Sequence, residues 1–210
     1  MNKEVRAFNC EMRAEQSEER GKFIEGSPIV VGAPTDMGWY TEIIEPGAMD
    51  QTDFRDVRLL VNHNTDMIPL ARSRNNNENS TMQLKVGEDG NLYMRANLDT
   101  ENNADSKSLY SATGRGDISG MSFMFTVDKD SWDDPQGEHP TRHILSIRKV
   151  FEVSAVTWPA YEQTSLEARG LGETLESAKS SLESAKAEAE KQAKAKRDAI
   201  NRIKILAEVK

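Results

Sequence analysis

MQLKVGEDGNLYMRANL, residues 82–98, decides the class of fold. Two short strand-like runs, Met82–Val86 and Leu92–Leu98, flank Gly87-Glu88-Asp89-Gly90-Asn91, a cluster of the residue types that turn a chain back on itself. The segment reads as a β-hairpin. Working outward, the same punctuation by glycine, proline, asparagine and aspartate runs from Val5 to about Pro159. It separates further expected strands at Val5–Met12, Phe23–Val31, Tyr40–Ile44, Val57–Val61, Ser122–Val127, His143–Val150 and Glu152–Trp158. One helix is expected from Ala104 to Gly114, where Asp105, Ser106 and Lys107 form a first turn and Gly114 and Gly116 close it. Two polar stretches, Arg74–Ser80 and Lys129–Pro140, read as exposed loops. The class is therefore α+β, mainly β.

After Gly170 the composition changes to Ala, Glu, Lys and Ser, which favours helix. Leu171, Leu175, Ala178, Leu182, Ala185, Ala189, Gln192, Lys196, Ala199, Ile203 and Leu206 follow at alternating steps of four and three, the seam of a coiled coil. The seam has few large side chains and is interrupted by Gln192 and Lys196, so it predicts weak or regulated association, and a solvated single helix is the competing reading. The division expected is a domain over 1–165 and a helical, heptad-patterned C-terminal tail over 166–210.

Length and composition agree with one domain and an appendage: 210 residues, 30% charged, 37% hydrophobic, mean hydropathy −0.68. The net charge of −8 gives no global attraction for nucleic acid or anionic lipid, so neither a nucleic acid nor a membrane is expected as a partner. Cys10 is the single cysteine, which excludes an internal disulfide and a cysteine-based zinc cluster. No apolar run reaches the roughly 20 residues that span a bilayer, and the first residues lack a secretory apolar core. An intracellular, soluble protein is expected.

Only three histidines limit the chemistry. His139 and His143 stand in HPTRH, but Pro140 opposes the helix that a paired metal site would need, so no metal and no cofactor is expected. Ser122 lies in GDISGMSFMF, residues 116–125, where a glycine-bounded turn delivers a serine to the start of an apolar strand. A nucleophile needs such a rigid bend, although a serine there also serves as simple turn chemistry. Gly120-Met121-Ser122 matches the front of the G-x-S-x-G elbow, but Met124 and the absence of alternating helices argue against an α/β-hydrolase. A serine hydroxyl needs a base, and the base needs an orienting partner. His63, after the apolar run of LLVNHNTDMIPLARS, and Glu152, inside the apolar KVFEVSAVTWPAY, are of the right types. On pattern alone His63 is a base, a metal ligand or a polar strand end, and Glu152 faces inward or outward.

Four phrases in one order, FIEGSPIVVGAPTDMGWYTEIIEPGAM (23–49), LLVNHNTDMIPLARS (59–73), GDISGMSFMF (116–125) and FEVSAVTWPAY (151–161), resemble the tailed-bacteriophage prohead maturation proteases, serine peptidases related to herpesvirus assemblin. The resemblance covers about residues 5–165 and implies a compact β-barrel with peripheral helices, assemblin-like. It puts the nucleophile on Ser122, the base on His63 and the third member on Glu152, with His143 as the alternative taken from the herpesvirus relatives. Arg72, or backbone N–H groups near Ser122, are the oxyanion donors it suggests. It implies cleavage of scaffold, of the scaffolding segment of the major capsid protein, and of the chain itself, inside the assembling procapsid in the host cytoplasm. A homodimer is also implied. Met124 and Ala71 stand where glycine is usual, and both are expected to crowd the cleft. The contrasting reading is a non-enzymatic capsid scaffold or assembly protein built on an inactive protease domain.

Overall fold

A computed structural model describes residues 2–18, 20–157 and 171–208. Among these, eleven strands and two helices follow in chain order: β1 (Glu4–Asn9), β2 (Arg13–Ser17), β3 (Gly21–Ile29), β4 (Thr35–Asp36), β5 (Thr41–Ile44), β6 (Asp56–Val61), β7 (Ala71–Arg74), β8 (Met82–Val86), β9 (Leu92–Asn97), α1 (Ala104–Arg115), β10 (Gly120–Asp133), β11 (Thr141–Val156) and α2 (Leu171–Glu208). The hairpin at residues 82–98 forms as β8 and β9, antiparallel from Met82↔Ala96 to Val86↔Leu92. Gly87 N donates to Asn91 O at 2.9 Å, and Gly90 takes φ 83°, a conformation that glycine adopts without steric cost. Met82, Leu84, Leu92, Met94 and Ala96 turn inward at period two, while Lys85 and Tyr93 stay outside.

Two sheets share one core. The smaller runs β2-β3-β9-β8; the larger, of seven strands, runs β1-β10-β11-β5-β4, with β6 also paired to β11 and β7 to β6. Phe8, Ile24, Ile29, Leu59, Met121 and Phe123 are among the side chains buried between them. The sheets are open and do not close into the barrel expected from sequence. Two features prevent closure. β11 takes two parallel partners at opposite ends, β5 against Thr141–Ile144 and β6 against Glu152–Ala155, so the sheet branches. Edge strand β1 meets helix α2, with Val5 N donating to Thr174 Oγ1 at 3.1 Å, and among the described residues it pairs with no strand other than β10.

β10 and β11 are one long hairpin. The expected loop Lys129–Pro140 is corrected: β10 continues to Asp133 and the turn is confined to the residues after it. The expected strands His143–Val150 and Glu152–Trp158 are a single strand as far as Val156, and Trp158 lies outside the described residues. β2, β4 and β7, short and polar, were not expected. Helix α1 starts where the sequence put it, with the Asn103 side chain accepting from Asp105 N and Ser106 N, and ends at Gly116 in a left-handed cap.

The helix after Gly170 forms, but the first part of its stripe is used inside the chain. Ala178 and Leu182 are buried against Tyr40 and Trp132, with Leu175 and Ala185 beside them. Trp132 Nε1 donates to Ser181 Oγ at 3.0 Å, and residues 190–201 are exposed. The boundary expected at 165/166 lies outside the described residues.

Candidate active site

The site is assembled by one turn and one irregular strand. β6 buries Val57, Leu59 and Leu60, and then Asn62 and His63 both take left-handed backbone, φ 50° and 54°, which folds the chain back over the sheet. Such φ values are uncommon outside glycine and need support from surrounding groups. Three hydrogen bonds hold the turn: Asn62 N to Ala155 O at 3.0 Å, Thr157 N to Asn62 Oδ1 at 3.1 Å, and His63 N to Ser154 Oγ at 3.2 Å. The imidazole then spans β10 and β11. Its Nδ1 lies 2.5 Å from Glu152 Oε1 and its Nε2 lies 2.5 Å from Ser122 Oγ.

Glu152 reaches this face because β11 is bulged. Its core residues Ile144, Ile147, Val150 and Val153 recur every three positions, a step that a regular strand cannot make. Leu145, Arg148 and Phe151 have no partner in the register with β10, so each step of three contains one extra residue. The bulge at Phe151 puts Val150 in the core and leaves Glu152, opposite Met124, on the face that carries Ser122. This answers the inward-or-outward question that the sequence pattern leaves open.

Ser122 is fully buried, Glu152 is 3% exposed and the His63 side chain 13%. Glu152 accepts from His63 Nδ1–H and, through Oε2, from Ser154 Oγ at 2.6 Å. With Nδ1 carrying the proton, the Nε2 lone pair faces Ser122. The Ser122 hydroxyl has a second acceptor in Arg6 O on β1, at 2.7 Å. Ser154 and the Arg6 carbonyl are the participants that sequence reading missed. Ser154 had a signal, since it stands two residues from Glu152 in an apolar strand and so shares its face; a backbone carbonyl has none.

Other expectations resolve differently. His143 is nine positions from Glu152 toward the far end of β11 and bonds Glu45 Oε1 through Nδ1 at 2.6 Å, so it is not brought to His63. His139 Nε2 meets Thr41 Oγ1 at 3.1 Å. Among the described residues no three of His, Cys, Asp or Glu gather as a metal site. The Arg72 guanidinium is held by Asp56 at 2.6 and 2.9 Å. Ala71 is buried in the core, because alternation along β7 turns it away from Arg72, so it does not crowd the cleft as expected.

A family model described as caudovirus prohead serine protease matches residues 8–177. The chain belongs to this family. No curated protein and no solved structure matches it. The family is one of serine peptidases and suggests a protease role in phage capsid maturation, and the match spans His63, Ser122 and Glu152.

In this family member β1 is fixed beside Ser122 by buried charges. Arg6 pairs with Glu42 and with Glu4 at 2.7 Å, and Arg142 of β11 pairs with Glu4 at 2.8 Å and with Asp130 at 2.7 Å. Burial alone would raise the Glu4 carboxyl, but Arg6 and Arg142 outweigh it and hold Glu4 below the usual carboxylate range. Desolvation pulls both guanidinium groups down, and the carboxylates beside them more than reverse it. The Tyr40 phenol at the same cluster is pushed up to about 12, first by burial.

Proposed function

We propose that the chain is a serine endopeptidase of the phage procapsid in which Ser122 is the nucleophile, His63 the general base and Glu152 the residue that orients and charge-stabilises the imidazole. The unbroken relay from Ser122 Oγ through His63 to Glu152, with 2.5 Å at each link, carries this reading. As Oγ attacks the scissile carbonyl carbon, its proton passes to Nε2, and Glu152 stabilises the resulting imidazolium. Collapse of the tetrahedral intermediate breaks the C–N bond, and the same proton leaves with the amine. Water then repeats the sequence on the acyl-enzyme and restores Ser122.

The substrates that fit the family role are the scaffold, the scaffolding segment of the major capsid protein, and the chain itself, processed within the procapsid in the host cytoplasm. The exposed stretch of α2 over residues 190–201 is suited to pair with a helical scaffold segment and recruit the enzyme, and removal of the tail by self-cleavage completes the cycle. Dimerisation belongs to the same proposal. A second reading, an assembly protein on an inactive protease domain, is favoured by the full burial of Ser122 and its bond to Arg6 O.

Intact mass of purified protein followed over time, alone and with capsid protein, decides between them. Fragments that appear in the wild type and are missing in Ser122→Ala support the peptidase. The same cuts in the variant remove the nucleophile from Ser122, and no cut of any partner favours the assembly role.

A further inference from the structure

On the face of the large sheet that carries Ser122, cross-strand rows follow from the register. Ala7, Ser122 and Ser154 form one row; Val5, Met124 and Glu152 form the next; Thr126 and Lys149 begin a third, which Lys3 flanks just before β1. β10 has no extra residue between Ser122 and Thr126, so both side chains lie on one face, four residues or about 13 Å apart. Over this third row lies a groove of about 460 Å³ with Thr126 and Phe151 in its lining.

The groove is cationic although the chain carries −8. Lys3 Nζ stands 4.8 Å and Lys149 Nζ 5.6 Å from the centre of the Phe151 ring, within cation–π range. Arg55 and Arg148 complete the rim. These four cations face two carboxylates, Asp53, bound to Arg55 and Lys149, and Asp128, bound to Arg148, so a positive surplus is left for a ligand. The strand irregularities contribute directly: Phe151 and Arg148 are both residues without a register partner, so two bulges deliver an aromatic floor and a guanidinium to one place.

We propose that this groove is a substrate subsite for an acidic side chain about four residues from the scissile bond, an inference that rests on Ser122 as nucleophile. An extended peptide advances about 3.3 Å per residue, as β10 does, so a segment whose scissile carbonyl meets Ser122 places its fourth neighbour over Thr126. The groove takes one or two side chains rather than a polymer. The acidic chain around it repels a long polyanion, so a carboxylate-bearing peptide suits it better than nucleic acid.

The test compares peptides that are identical except for Glu or Gln, with that position moved stepwise along both sides of the cut site. Wild-type enzyme is expected to cleave the Glu peptide roughly fivefold to tenfold better in kcat/KM at the matching position, with the preference shrinking as salt rises. Arg148→Glu and Lys149→Gln, each checked for an unchanged melting temperature, should bring the ratio to about one while the Gln peptide is cut as before. Ser122-dependent cleavage that ignores the acid, or a preference that survives both variants, overturns the subsite alone. Displacement of a labelled Glu peptide from Ser122→Ala protein by a short single-stranded oligonucleotide, at lower concentration than by unlabelled peptide, assigns the groove to nucleic acid and also overturns it. Cleavage that persists in Ser122→Ala, or none of any peptide, overturns the nucleophile and the subsite together.

Discussion

Ser122 has one hydroxyl hydrogen and two acceptors for it, His63 Nε2 and Arg6 O, so its reactivity depends on which of them holds the proton when a carbonyl arrives. Glu152 biases that choice by keeping the imidazole proton on Nδ1. Glu152→Gln keeps the shape but can present an amide N–H to Nδ1, which moves the proton to Nε2 and leaves nothing there to accept from Ser122. A fall in kcat on the order of 10³- to 10⁴-fold is expected, with the far-ultraviolet spectrum unchanged; a loss below about tenfold would mean that another group orients His63. Ser154→Ala removes the donor to Glu152 Oε2 and the acceptor of His63 N, so a smaller loss, roughly tenfold to a hundredfold, is expected with some destabilisation. Single-turnover rates measured across pH for both variants would separate orientation from folding. On pattern alone His63 and Glu152 stayed ambiguous; the resemblance carried by the ordered phrases was what singled them out with Ser122, and the structure brings the three side chains together. The Arg6 carbonyl was not legible, because every residue carries one.

At the scale of elements, β11 and α2 differ most from a regular reading. A core period of three fits neither strand nor helix, and for this reason β11 reads as two strands broken near Phe151. The hairpin at residues 82–98 has no bulge and was read to within a residue. Closure of the sheet was not legible, since it depends on which distant edges meet, and edge strand β1 meets a helix through single hydroxyl groups. The stripe of α2 was legible as a stripe, but its partner was not, because Ala178 and Leu182 pack on Tyr40 and Trp132 as readily as on another helix. A truncation pair follows. Removing residues 191–210 should leave the melting temperature unchanged, because side chains 191–201 are exposed. Leu182→Ala in the full chain should cost about 2–4 kcal/mol and shift Trp132 emission to the red. Equal melting temperatures for wild type and Leu182→Ala would show that α2 is not docked in solution.

Across the whole molecule, the buried charges join segments far apart in sequence. Glu4 and Arg6 belong to β1, Glu42 to β5 and Arg142 to β11, and Ser177 of α2 donates to Glu4 Oε1 at 2.8 Å. Holding β1 this way also holds the Arg6 carbonyl at Ser122. Glu4 has a folded pKa below its unfolded value, so in the window between the two the unfolded chain binds more protons. Its contribution is therefore present above the unfolded carboxylate pKa, about 4.3, and is lost as pH falls through the lower folded value. Arg142→Met removes one cation and leaves buried carboxylates in excess of guanidinium groups, a change that costs about 3–5 kcal/mol near neutral pH. Arg6 and Ser177 remain beside Glu4, but with Arg142 gone less opposes the burial that raises the carboxyl, so the stability that Glu4 contributes above its unfolded pKa shrinks. Urea midpoints at pH 7 and pH 4 read this directly, with the deficit of Arg142→Met against wild type larger at pH 7. An equal deficit at both values would mean that Glu4 does not depend on Arg142 for its charge, and that the remaining contacts of β1, with Glu42 through Arg6 and with Thr174 and Ser177 of α2, hold it beside Ser122 without that pair.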